Sequence, residues 1–136
     1  MSKPRVLLVD DDPDFLVIYR IYLEAAGYQV DTAPSATAGL ERALAARPDV
    51  AVVDLMMEEM DSGVWLAHEL ARRPELAEVP VVIVTGVREE TGFDFTLKSD
   101  EERAWLHVHE WVEKPVSRER LLELLARLVP VREEHP

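Results

Sequence analysis

Four short segments each carry an apolar run into a polar tip: LLVDDD at 7–12, VVDLMM at 52–57, VIVTG at 82–86 and WVEKP at 111–115. Taking a carboxylate out of water costs several kcal/mol unless something compensates. Asp54, at the end of an apolar run, is therefore either a solvated turn residue or a group kept for chemistry. Brought together, Asp10, Asp11 and Asp54 would repel one another, and the simplest relief is a hard divalent cation with oxygen ligands, above all Mg²⁺. Thr85 and Lys114 then offer a hydroxyl and a positive charge, a pair suited to holding an anion beside that cation.

Whether these groups meet depends on the elements that carry them. Runs at 5–9, 28–33, 49–53, 79–84 and 110–112 read as strands. Between them lie stretches of helical period. One opens on Asp12 as cap with Pro13 at the first helical position and closes on Gly27. A second runs from Ser35 to about Arg47, where Pro48 stops it, with an apolar stripe of Leu40, Ala43 and Leu44. A third lies near 64–73 and carries His68, expected to be exposed. Ser99 and Glu102 have the spacing of a capping box, and the last helix is capped by Ser117, with Leu121, Leu124, Leu125 and Leu128 on one face.

Alternating strands and helices imply an α/β fold: a doubly wound, five-stranded parallel sheet with helices on both faces. Three runs are apolar on both faces, as interior parallel strands must be, whereas 28–33 and 110–113 mix in polar residues and belong at the edges. The order 2-1-3-4-5 satisfies this. It puts a ligand-binding switch point beyond the carboxyl ends of strands one and three, where Asp10, Asp11 and Asp54 stand.

The whole chain sets limits on function. Its 136 residues, 48% hydrophobic, suit one domain with its own core. We expect that domain over 1–130 and a frayed tail over 131–136. A formal net charge of -12 repels phosphate backbones, which argues against direct nucleic-acid binding. There is no cysteine to form disulfides or thiolate metal sites. With neither an apolar run long enough to span a membrane nor a secretory leader, a cytoplasmic protein without membrane contact is expected.

At these residues the chain resembles the response-regulator receiver domain of two-component signalling, a flavodoxin-like fold, and the likeness covers nearly its full length. LLVDDD looks like the family's acidic pair, VVDLMM like its phosphoacceptor strand end, VIVTG like its switch-hydroxyl strand and WVEKP like its lysine with a following proline. The resemblance implies that Asp54 takes a phosphoryl group from a phosphohistidine of a sensor histidine kinase or histidine phosphotransfer protein. It implies Mg²⁺, for which Mn²⁺ can substitute, bound by Asp11 and Asp54, by Asp10 through water and by the Met56 carbonyl. Lys114, the Thr85 hydroxyl and the backbone amides of Met56 and Gly86 would hold the phosphoryl oxygens. Trp111 would reorient as Thr85 moves, and the Lys114–Pro115 bond would be cis. Such a switch assists its own phosphorylation but turns over no free substrate, so it is not expected to be an enzyme.

The sequence also departs from the family. Glu58 stands where proline is common and Ser62 where glycine is common, and the section from Thr85 to Lys114 is longer than usual. This insert is expected to remodel the 86–113 face through which a downstream protein partner is reached. Neither Met56 nor Val87, each two residues past a site residue, can orient a water for attack on an acyl phosphate, so slow self-hydrolysis is expected. His107 and His109 could share a strand face and bind metal, but no third ligand has an argued place beside them. Two other functions compete. A Mg²⁺-dependent phosphohydrolase with an aspartyl-phosphate intermediate would want a second aspartate where Met56 stands, and an interaction module that had lost phosphorylation would lack the acceptor, the lysine or the acidic pair.

Overall fold

The computed structural model describes residues 3–54, 62–85 and 108–129. Five strands, β1 (Arg5–Val9), β2 (Gln29–Ala33), β3 (Val50–Asp54), β4 (Val81–Thr85) and β5 (Val108–Glu113), form one parallel sheet in the order β2-β1-β3-β4-β5. Four helices are described: α1 (Pro13–Ala25), α2 (Ala36–Ala45), α3 (Ser62–Arg72) and α4 (Arg118–Leu128). The two strands with mixed composition are the edges, as the sequence implies.

Helix boundaries follow local chemistry. Asp12 accepts a hydrogen bond from the Asp14 amide with Pro13 in the first turn, and Ser35 and Ser117 accept from the Ala38 and Arg120 amides. Beyond α1, Gly27 adopts a positive φ of 103°, a conformation that side chains disfavour.

Successive strand residues point to opposite faces, so the interior strands serve two cores at once. Leu7, Val9, Ala51, Val53, Val81 and Ile83 pack against Ala36 and Ala43 of α2 and Leu66, Ala67 and Leu70 of α3. Val6, Leu8, Val50, Val52, Val82 and Val84 pack against Leu23 of α1 and Leu121, Leu124 and Leu125 of α4. Each fully buried leucine contributes roughly 1.5–3 kcal/mol relative to exposure. This double burial accounts for the near-absence of polar residues in these runs before the site is reached.

Four details differ from the sequence reading. Leu44, placed on the buried stripe of the second helix, is 47% exposed. The buried face of the helix is Ala36, Gly39 and Ala43, small residues that bring α2 close, and Leu44 lies outside it. Helix α2 ends at Ala45 rather than near Arg47, its cap Ala46 donating to the Arg42 carbonyl. His68 on α3 is half-buried rather than exposed. Strand β5 is longer than 110–112, and its pairing with β4 is irregular between Val81 and Val82. The helix expected at Ser99, the insert, His107 and the tail lie outside the described residues, as does the side chain of His109.

The close approach of α2 is testable at Gly39. A Cβ there would stand 2.9 Å from Val9 Cγ2 and 3.0 Å from Leu66 Cδ2, and valine has little freedom to retreat. Alanine is otherwise the better helix former, but the overlap should outweigh that gain. Gly39→Ala is expected to lower the urea midpoint, a net loss of about 1 kcal/mol; an unchanged or raised midpoint would show that the two layers have room.

Candidate functional site

Register sets the geometry of the carboxyl edge. Val9 pairs with Val53, so Asp10, the next residue, comes alongside Asp54 at the end of β3. Asp54 in turn pairs with Val84, and Thr85 pairs with Glu113, which brings Lys114 just beyond the same edge.

Asp10 is fully buried and fully engaged. Its amide donates to the Ala33 carbonyl (3.1 Å), its Oδ1 accepts from the Asp12 amide (2.9 Å) and its Oδ2 accepts from Lys114 Nζ (2.9 Å). Asp54 is 6% exposed, with Oδ2 at 3.7 Å from the same Nζ. One ammonium thus serves two buried carboxylates from neighbouring strands.

Two effects oppose each other at Lys114. Burial alone would lower its pKa, but the hydrogen bond to Asp10 and the charges of Asp54, Asp10 and Asp12 outweigh burial and hold it above the ordinary lysine value. The ammonium is therefore a fixed positive charge at neutral pH. Lys114 follows directly on the end of β5, and the Lys114–Pro115 peptide is cis.

Asp11 is exposed and completes a group with Asp10 and Asp54 in which one carboxylate oxygen from each lies within 4.8 Å of the others. Three carboxylates against one ammonium leave a net excess of two negative charges. The donors are all hard oxygens, two of them in a buried setting, so the residues present fit a hard divalent cation such as Mg²⁺.

Of the residues singled out from sequence, Asp10, Asp11, Asp54 and Lys114 are brought together, and Thr85 ends the adjacent strand. Trp111 lies on β5 opposite Ile83. The side chains of Thr85 and Trp111, and all of Met56 and Gly86, lie outside what is described. Sequence reasoning missed two features. Lys114 bonds to Asp10 more closely than to Asp54, and it also lies over the ring of Phe15, 4.6 Å from the centroid. A signal for the second existed in the aromatic spacing of Phe15, Tyr19 and Tyr22 along α1.

The chain is similar to known proteins. A family model described as the response regulator receiver domain matches residues 6–126. The polar-differentiation response regulator DivK of Brucella anthropi is 30% identical over 121 residues, 88% of this chain and 91% of DivK. The crystal structure of the chemotaxis protein CheY4 of Vibrio cholerae superposes with a TM-score of 0.81 at 26% identity, covering 94% of this chain and 100% of that one. The sensor histidine kinase TmoS of Ectopseudomonas mendocina is 37% identical over 89 residues, 65% of this chain but only 9% of the kinase. The chain also spans less than half the length of several related transcriptional regulators. Among the described residues no helix is long and apolar enough to cross a membrane.

The ion cluster predicts its own fragility. Lys114→Met would leave Asp10 and Asp54 buried without their shared cation. In magnesium-free buffer at neutral pH this should cost on the order of 2 kcal/mol by urea denaturation, the low end for stripping a partner from a buried charge because Lys114 is itself 26% exposed. A variant as stable as wild type would mean that the carboxylates are not charged together.

Proposed function

The chain belongs to the response regulator receiver family, whose members are phosphorylation-activated signalling switches, and on that premise we propose that Asp54 is its phosphoacceptor. The observation that carries this reading is the Lys114 ammonium shared between Asp10 and Asp54 at the switch point of the sheet. In the proposed step an Asp54 carboxylate oxygen attacks the phosphorus of a phosphohistidine on a partner protein. An O–P bond forms to give an acyl phosphate, the N–P bond breaks, and its electron pair returns to the imidazole nitrogen.

The work of the protein in such a transfer is positioning and charge neutralisation. Lys114, tied to Asp10, is already in place to meet the incoming phosphoryl oxygens, so little reorganisation is needed when charge develops. Burial keeps Asp54 in a site from which most water is excluded, where that ammonium acts more strongly than it would in bulk solvent. The Thr85 hydroxyl and the Met56 and Gly86 amides are the further proposed phosphoryl contacts. Asp10, Asp11 and Asp54, with the Met56 carbonyl, would hold Mg²⁺ or Mn²⁺, which when bound supplies neutralisation of phosphoryl charge.

In this reading residues 1–130 form the receiver domain. The donor is a sensor histidine kinase or histidine phosphotransfer protein in the cytoplasm, and the 86–113 face passes the signal to a protein partner. Trp111 reports the change at Thr85. The chain captures one phosphoryl group and turns over no free substrate.

Wild type and Asp54→Asn, incubated with Mg²⁺ and acetyl phosphate and weighed as intact proteins, test the assignment. A gain of one phosphoryl group confined to wild type is expected. An equal gain in Asp54→Asn would move the acceptor elsewhere, and release of inorganic phosphate over many turnovers would favour a phosphohydrolase.

A further inference from the structure

Phe15 stands in the first turns of α1 with its ring buried, beneath the Lys114 ammonium at 4.6 Å. The ring is stacked on Tyr19, centroids 4.2 Å apart and planes 26° from parallel. The Tyr19 hydroxyl donates to the carbonyl of Val116, two residues past Lys114. One turn further, Tyr22 meets Tyr19 edge-on at 5.5 Å and lies under the guanidinium of Arg118 at 6.0 Å. Residues 15, 19 and 22 share one face of the helix, so α1 turns an aromatic stripe toward the segment carrying residues 114, 116 and 118.

This stripe does something the carboxylates cannot. Asp10 and Asp54 attract the ammonium from the sheet side but leave a flexible four-carbon stem free to choose between them and solvent. A ring face carries partial negative charge and draws a cation without offering it a proton acceptor. It can therefore hold Lys114 in place and leave its N–H groups available to oxygen.

Resting on the reading that Asp54 is the phosphoacceptor, we propose that Phe15 is a positioning residue for that reaction: its ring holds the Lys114 ammonium at the point where it reaches both Asp10 and the oxygens arriving at Asp54. The contribution is electrostatic. A leucine of similar bulk would fill the space but not draw the cation.

The test measures the rate of phosphorylation by acetyl phosphate, whose phosphoryl group moves to Asp54 with release of acetate, followed by intact mass in the presence of Mg²⁺. Phe15→Leu should lower the rate about three- to tenfold, the range of a partly desolvated cation–ring contact. Replacing Phe15 by trifluorophenylalanine, which keeps the shape and fold but withdraws charge from the ring face, should give an intermediate rate. In a Lys114→Ala background Phe15→Leu should cause no further loss, because its partner is already gone. The proposal is overturned by a full rate in the fluorinated protein, or by the same fold-loss from Phe15→Leu with and without Lys114, the mark of a merely structural role. If wild type itself takes no phosphoryl group, the acceptor reading falls and this inference with it; if wild type reacts and Phe15→Leu reacts equally, the inference alone falls.

Discussion

Asp10 and Asp54 lie almost out of reach of water at the ends of adjacent strands, and Lys114, just beyond the end of β5, answers both. Removing two carboxylates from solvent side by side is among the more costly things a small domain can do. The cost is tolerable here because the compensating groups come from separate parts of the chain that the sheet brings together: an amide from the start of α1 and an ammonium from the end of β5. The compensation is also incomplete. One lysine cannot balance three carboxylates, and the remaining negative charge makes the edge of the sheet receptive to a divalent cation.

The fold supplies this arrangement through its parallel order. In a parallel sheet all strands end on the same side, so residues far apart in sequence become neighbours at one rim. Asp10 and Lys114 are 104 positions apart yet share a hydrogen bond. The apolar strands hold the rim in register by packing on both faces, with α2 brought close on one side by small residues and α4 covering the other with leucines. The aromatic stripe of α1 adds a second support to the segment that carries the lysine. Packing thus fixes where the charges are, and the charges determine what the site can bind.

Much of this could be read from residue order. Runs such as VLLV and VAVV, apolar at every position, identified the interior strands because only double-sided burial removes the polar alternation. Asp12, Ser35 and Ser117 marked helix starts by the bonds their side chains make to nearby amides. Asp10, Asp11, Asp54 and Lys114 stood out because each ends an apolar run. Other features depend on distance across the fold rather than along the chain. Leu44 looked buried by periodicity, but the helix turned its smaller residues inward. The aromatic spacing along α1 hinted at a stripe, but that Lys114 lies over Phe15 and bonds to Asp10 more closely than to Asp54 follows from side-chain directions set across the fold.

The central claim is that the carboxylates at this rim form one electrostatic unit with unbalanced negative charge. Titrating Mg²⁺ into the metal-free protein while following its melting temperature, with Asp11→Asn measured in parallel, addresses it most directly. Binding to the native state alone must raise the midpoint as the ion is added. The midpoint of wild type should rise through the millimolar range and that of Asp11→Asn should rise less. A wild-type midpoint that stays flat, or an equal rise in both proteins, would contradict the account.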